Sequence, residues 1–292
     1  MSLLIYIGAF LIGLFFGSFL NLIADRVVRG EQVLKVRSHC ESCNKPLKAK
    51  NLIPVLSYIF QKGKCSHCSA KLSLYYPLSE VLTGLAFVYA LYTSNLIENP
   101  GVLRVLGFIN ILVIFWAYII LFLADAKYRL VPDKVVLPAI VFAFLMPLAI
   151  LGYSLFMYRS QLLNDKFGLY LIDAGFWHLQ VASVLRSILV VLGSSLGIGM
   201  FFLLLVLVTG GRGMGGGDIR LGILIGLFNG FPGNILAVFL GFVIGALYSI
   251  VLLLFRRKGL KDTIAFGPFL LLGSLISYQW GSLIINWYLS MF

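Results

Sequence analysis

Apolar runs of about 20 residues recur from one end of the chain to the other. A run of that length can cross a bilayer as a helix, with its backbone polar groups bonded internally. Eight candidates stand out, at about 3 to 24, 77 to 94, 103 to 124, 134 to 153, 181 to 208, 219 to 232, 233 to 255 and 264 to 290. The sixth is short, and its boundary with the seventh near Phe231-Pro232-Gly233 is left open. Over 292 residues the chain is 60% hydrophobic and 12% charged, which lies far outside the range of water-soluble domains.

The basic residues orient these spans, because lysine and arginine stay on the cytoplasmic side. If the loop after the first span is cytoplasmic, 19 of the 23 Lys and Arg residues fall on that side, ten of them between Arg26 and Lys71. The first apolar run has no preceding positive cluster and no small-residue cleavage site, so it reads as a retained span with its amino terminus outside. Both termini are then expected outside. Topology and lipid headgroups account for the net charge of +12, and no nucleic acid is needed.

The loop from Arg26 to Lys71 holds all four cysteines, as Cys40-Glu-Ser-Cys43, 21 intervening residues, and Cys65-Ser-His-Cys68. Two C-x2-C pairs at this spacing can each take one side of a tetrahedral zinc ion. Two disulfides or a redox pair are the alternative, which a reducing cytoplasm disfavours. Four thiolates leave no open coordination position, so the zinc would be structural, and His67 is read as a surface residue rather than a ligand. The expected fold class is an all-α polytopic membrane protein, with about eight transmembrane helices and a small cytoplasmic zinc-binding loop domain. The expected division is a first transmembrane helix at 1–25, the four-cysteine zinc-binding loop at 26–76 and a transmembrane bundle at 77–292.

Two acids resist a bland account. Asp218 follows a stretch in which six of the eight residues from Gly210 to Gly217 are glycine, between two apolar runs. An ionisable group at a membrane boundary is a functional candidate by default. The glycines, with Gly215, Gly216 and Gly217 nearest the acid, are expected to prevent a stable helix and leave backbone groups free to grip an extended peptide. A helix cap is the alternative reading of Asp218. Asp125 lies at the end of a long apolar run, whereas Asp133, after Pro132, looks like a helix cap. Paired carboxylates can divide the work of peptide hydrolysis, one activating water and the other protonating the carbonyl or leaving group.

Other residues carry weaker signals. Glu80 pairs with a base on a neighbouring helix or lines a polar cleft. Gly8, Gly13 and Gly17, with Ser18, suit close helix packing. Gly193-Ser194-Ser195-Leu196-Gly197 matches a serine-hydrolase pattern but falls inside an apolar helix, so packing is the better account. Residues 154 to 180 read as an outside loop of mixed charge, and Arg256 to Asp262 as a basic interfacial turn. A transporter or channel using Asp125, Asp218 and Glu80 as a cation site is the alternative of another class, weakened by the lack of an internal repeat. A zinc-dependent scaffold without catalysis leaves the two carboxylates unexplained.

Several of these residues together carry a likeness. They are Gly17-Ser18-Phe19-Leu20-Asn21, the two cysteine pairs, Tyr76-Pro77-Leu78 with Glu80, Asp125 with Pro132-Asp133, Gly215-Gly216-Gly217-Asp218 and Phe266-Gly267-Pro268-Phe269. In this order along nearly the whole chain, they resemble the bacterial type IV prepilin peptidases, the leader peptidase and N-methyltransferase family of GxGD membrane aspartyl proteases. The resemblance implies that Asp125 and Asp218 are the catalytic pair. It implies prepilins and pseudopilins of type IV pilus or type II secretion systems as substrates, a bacterial inner-membrane location, and methylation of the new amino terminus from S-adenosylmethionine. Two departures are visible: Ala126-Lys127-Tyr128-Arg129 where the family often has further acids, and Arg220 where lysine is usual.

Overall fold

The computed structural model describes residues 2–32, 38–40, 42–211, 214–255 and 264–291. The chain divides into two compact units, residues 1–132 and 133–292. The described residues are helical almost throughout, with two isolated β-bridges and no longer strand.

The first unit packs three long helices, α1 (Ser2–Arg29), α3 (Tyr75–Ser94) and α4 (Val102–Tyr128). Between α1 and α3 the chain folds into a small loop domain containing the short helix α2 (Leu56–Phe60). Glycines set the approach of α1 to α3. A Cβ on Gly17 would lie 2.6 Å from Glu80 Cα, one on Gly13 2.7 Å from Gly84 Cα, and one on Gly84 2.7 Å from the Phe10 ring. Gly8 meets nothing and plays no part in this contact. Phe16 fills the space towards α4, its ring 5.3 Å from Phe87 and 4.8 Å from Trp116.

The second unit contains α5 (Asp133–Leu163), α6 (Lys166–Asp173), α7 (Phe176–Thr209), α8 (Gly216–Asn229), α9 (Gly233–Leu254) and α10 (Gly267–Leu289). Small residues again decide the packing. A Cβ on Gly226 would sit 2.7 Å from Ser195 Cα, and one on Gly222 2.5 Å from the Phe202 ring. The serine-hydrolase-like stretch is a packing seam: Ser195 is buried and its hydroxyl donates to Ile223 O at 2.9 Å, while Asn234 Nδ2 donates to Ser194 Oγ at 2.8 Å. In an apolar setting such bonds hold helices together, because an unmade one has no water to turn to. Gly193 and Gly197 touch nothing, so the serines rather than the glycines serve the seam.

Two expectations change. All eight apolar runs form helices, but six of them are long and apolar enough to cross a membrane among the described residues: α1, α4, α5, α7, α9 and α10. Helix α8, with 14 residues, rises only about 21 Å, short of a hydrocarbon core of about 30 Å. Helix α3 is continuous but carries buried polar residues, Ser79, Glu80, Thr83 and Ser94, which lower its hydropathy. The boundary between the sixth and seventh runs falls at Gly230-Phe231-Pro232. Residues 154 to 180, expected to be a loop, are mostly helical: α5 continues to Leu163, α6 follows, and α7 begins at Phe176. No proline falls in that stretch to stop a helix, and α6 folds back on α5 because a Cβ on Gly168 would overlap the Leu162 carbonyl. The basic turn expected from Arg256 to Asp262 lies outside the described residues, as do Lys35, Arg37 and Arg212.

Candidate active site and metal centre

The two cysteine pairs sit in loops with the same backbone bonding. Cys40 N–H donates to Lys45 O at 3.0 Å, Asn44 N–H to Cys40 O at 2.8 Å, and Leu47 N–H to Ser38 O at 2.8 Å. Displaced by 25 residues, Cys65 N–H donates to Ala70 O at 2.8 Å, Ser69 N–H to Cys65 O at 3.0 Å, and Leu72 N–H to Gly63 O at 2.7 Å. Asn44 (φ 55°) and Ser69 (φ 58°) take the left-handed turn at matching places. Each knuckle thereby turns its two thiols to one side. The four sulfurs lie within 4.8 Å of one another, with Cys40 Sγ 3.9 Å from Cys68 Sγ. A tetrahedral ion with sulfur ligands at about 2.3 Å needs sulfur–sulfur edges of about 3.8 Å, so the cluster can hold a metal.

All four cysteines are free thiols. Backbone N–H groups of His67 and Cys68 draw the Cys65 thiol down to about 6. At Cys68 the Ala70 N–H acts in the same downward sense, but desolvation and the three neighbouring sulfurs outweigh it and push the thiol up to about 11. Crowded thiols that cannot all ionise alone are what a cation relieves. His67 is exposed and contributes only its backbone N–H, to Cys65 Sγ at 3.4 Å.

Asp125 lies in the last full turn of α4 and is 6% exposed. The helix ends just beyond it, where Arg129 turns left-handed (φ 54°) and its N–H caps Asp125 O at 2.9 Å. That end of α4 is tied to α1 and α3 through Asp25. Asp25 Oδ1 accepts from Lys127 Nζ and from Tyr128 Oη, both at 2.9 Å, and Oδ2 accepts from Tyr76 Oη at 3.4 Å. The Lys127 ammonium also lies over the rings of Tyr75, Tyr76 and Tyr128, 5.8, 5.7 and 5.1 Å from their centroids. Sequence reasoning passed over Asp25. It stands at the end of the first apolar run much as Asp125 ends the third, and the same criterion would have found it.

Glu80 resolves towards the cleft. It is 7% exposed, its Oε2 accepts from Val55 N–H at 2.7 Å and it bonds the Ser18 hydroxyl. It thus pins the start of α2, where Val55 adopts a left-handed φ of 59°, to the α1–α3 seam. Glu80 lines a cavity of about 580 Å³ at the base of the metal loop.

In the second unit, α7 ends through Gly210 and Gly211, both left-handed (φ 58° and 74°), a conformation that glycine adopts without strain. The expected break in helix is there, but it is shorter than the glycine run: Gly215 is extended, while Gly216 and Gly217 form the first turn of α8. Asp218 is the third residue of that helix, half-buried, and its Oδ2 accepts from Gly215 N–H at 3.1 Å. The capping reading of Asp218 is therefore seen directly, and its carboxylate lies at the electropositive end of α8. Asp133 begins α5 and pairs with the Arg220 guanidinium, so its role joins α5 to α8 as well as starting a helix. Asp125 belongs to the first unit and Asp218 to the second, and the structure brings together the four cysteines and the Asp25 network.

Comparison with known proteins places these features in a family. The family model described as the Bacterial Peptidase A24 N-terminal domain matches residues 11–94, and that of the Type IV leader peptidase family matches residues 112–250. The chain is 30% identical over 284 residues to the prepilin leader peptidase/N-methyltransferase of Bacillus subtilis strain 168, covering 97% of each chain. Its counterpart in Aeromonas salmonicida is 30% identical over 254 residues, 87% of this chain and 75% of that one. That of Pseudomonas aeruginosa is 28% identical over 302 residues, 96% and 91%. No solved structure matches.

Proposed function

Because this chain belongs to the type IV prepilin leader peptidase/N-methyltransferase family and is a multi-pass membrane peptidase that processes prepilins, we propose that Asp125 and Asp218 carry the cleavage. The observation that supports it best is the placement of the two acids. Asp125 is buried at the C-terminal turn of α4, and Asp218 is half-buried in the first turn of α8. Asp133, the first residue of α5, pairs with Arg220 two places after Asp218. One carboxylate takes a proton from water as the oxygen attacks the scissile carbonyl carbon, and the other protonates the carbonyl oxygen. The carbon–nitrogen bond then breaks as the nitrogen takes up a proton, and the two acids return to their starting state. The flanking Gly215, Gly216 and Gly217 leave room for the substrate backbone beside Asp218.

The basic leader of a prepilin or pseudopilin ends where a hydrophobic segment enters the membrane. The scissile bond would therefore reach the acids at the cytoplasmic face, with the metal loop on the same side and both termini outside, in the orientation that the lysines and arginines favour. Lipid is the surrounding partner, and nothing calls for nucleic acid. Cys40, Cys43, Cys65 and Cys68 would hold one structural zinc, which fixes the loop. S-adenosylmethionine would supply the methyl group for the new amino terminus. The transporter alternative is not favoured, since the relatives are named prepilin leader peptidases/N-methyltransferases and a peptidase family model matches residues 112–250.

Mass spectrometry of a prepilin incubated with purified protein tests the reading. Asp125→Ala and Asp218→Ala are each expected to lower the cleavage rate by roughly a thousandfold or more. Full activity in either variant would remove that acid from the mechanism.

A further inference from the structure

We infer that the cavity at the base of the metal loop is the binding site for S-adenosylmethionine; this rests on the methyltransferase part of the proposed function. Its volume of about 580 Å³ lies within the usual range for a small-molecule site. The floor is polar and buried, made by Asn21, Glu80 and Arg26, and Tyr75 and Tyr76 form one wall. Tyr75 Oη is buried with no hydrogen-bond partner, which leaves an unmet polar group in that wall.

The charges fit a small ligand carrying both signs better than a basic peptide. Arg26, Arg29, Lys71 and Lys127 face Asp25, Glu31 and Glu80 around the cavity. A lysine-rich leader would meet more cations than carboxylates there. S-adenosylmethionine carries a carboxylate for an arginine, an ammonium and a sulfonium for acids such as Asp25 and Glu31, a diol for a buried carboxylate such as Glu80, and an adenine for a tyrosine ring. The wall already holds a cation, since the Lys127 ammonium lies over its tyrosines and bonds Asp25. Position completes the case. Ala126 and Lys127, the two residues after Asp125, line the cavity, and the proposed cleavage releases the amine to be methylated at Asp125.

The test is ultraviolet cross-linking of S-adenosylmethionine labelled in its methyl group to the intact protein in detergent, followed by peptide mapping and by equilibrium dialysis of variants. Label is expected within residues 18–31 and 73–80. Tyr75→Ala and Glu80→Gln are expected to weaken binding by about tenfold, with the metal retained and the melting temperature close to that of the parent. Asp218→Ala, which removes the proposed cleavage, should bind the donor as the parent does, so failure of the peptidase assignment reads out separately as continued cleavage by that variant. Label confined to residues 133–292, no measurable binding, or folded variants that bind as tightly as the parent would each overturn the inference. So would displacement of the label by a leader peptide but not by S-adenosylhomocysteine. Should either variant fail to fold, the labelling pattern of the parent protein decides.

Discussion

The helix ends that carry the two acids are built differently. At Asp125 the end of α4 is clamped by side chains: Asp25 receives hydrogen bonds from Lys127, Tyr128 and Tyr76, and a cysteine cluster folds the loop beside them. At Asp218 the start of α8 is shaped by backbone, with left-handed glycines ending α7 and a carboxylate bond to Gly215 N–H. The first arrangement holds the helix end that carries Asp125 by several side-chain bonds. The second relies on glycine backbone, with few side chains at the helix start.

Removing the metal is the strongest way to break the contrast, because a small loop with little core draws its folding free energy from the ion, an apparent 10 to 16 kcal/mol or so in isolated zinc modules. Cys40→Ser or Cys65→Ser is expected to lose bound zinc and to open residues 38–72 to limited proteolysis, with methylation or stability impaired before cleavage is abolished. Metal analysis of reduced parent protein that found no zinc would end this account. Packing comes next. Gly17→Leu should destabilise the first unit by about 1–3 kcal/mol, since the added side chain would meet the backbone at Glu80, whereas Gly8→Leu should be neutral. Thermal melting of the two variants side by side checks it, and equal melting temperatures would refute the close α1–α3 seam. The ion pairs sharpen the comparison at the smallest scale. Asp25→Ala should cost roughly 1–2 kcal/mol, because its side chain is 13% exposed and three donors lose their acceptor, while Arg220→Ala should cost no more than about 0.5 kcal/mol, its pair with Asp133 being largely solvated. Denaturant titration distinguishes them, and an Arg220 effect as large as that of Asp25 would erase the distinction.

The reach of sequence reasoning followed the range of the interactions. The cysteine pairs were legible because each knuckle closes over a few residues and metal chemistry dictates the spacing. The helices were legible because lipid demands apolar runs, and of the eight runs six are long and apolar enough to cross among the described residues, with α8 as short as its run suggested. Residues 154 to 180 were misread as a loop because mixed charge resembles solvent-exposed coil, while no helix-breaking proline stands there.

By itself the amino-acid order determined a helical membrane protein, a four-thiol cluster and two suspicious aspartates, because hydrophobic length, metal-ligand spacing and misplaced charge are written locally. Only the folded structure decided which glycines touch, that Asp25 from the first helix grips Lys127 and Tyr128 more than a hundred positions away, and that Glu80 turns into a cavity. Those choices depend on which helix faces are pressed together, and no local pattern records the outcome of that packing.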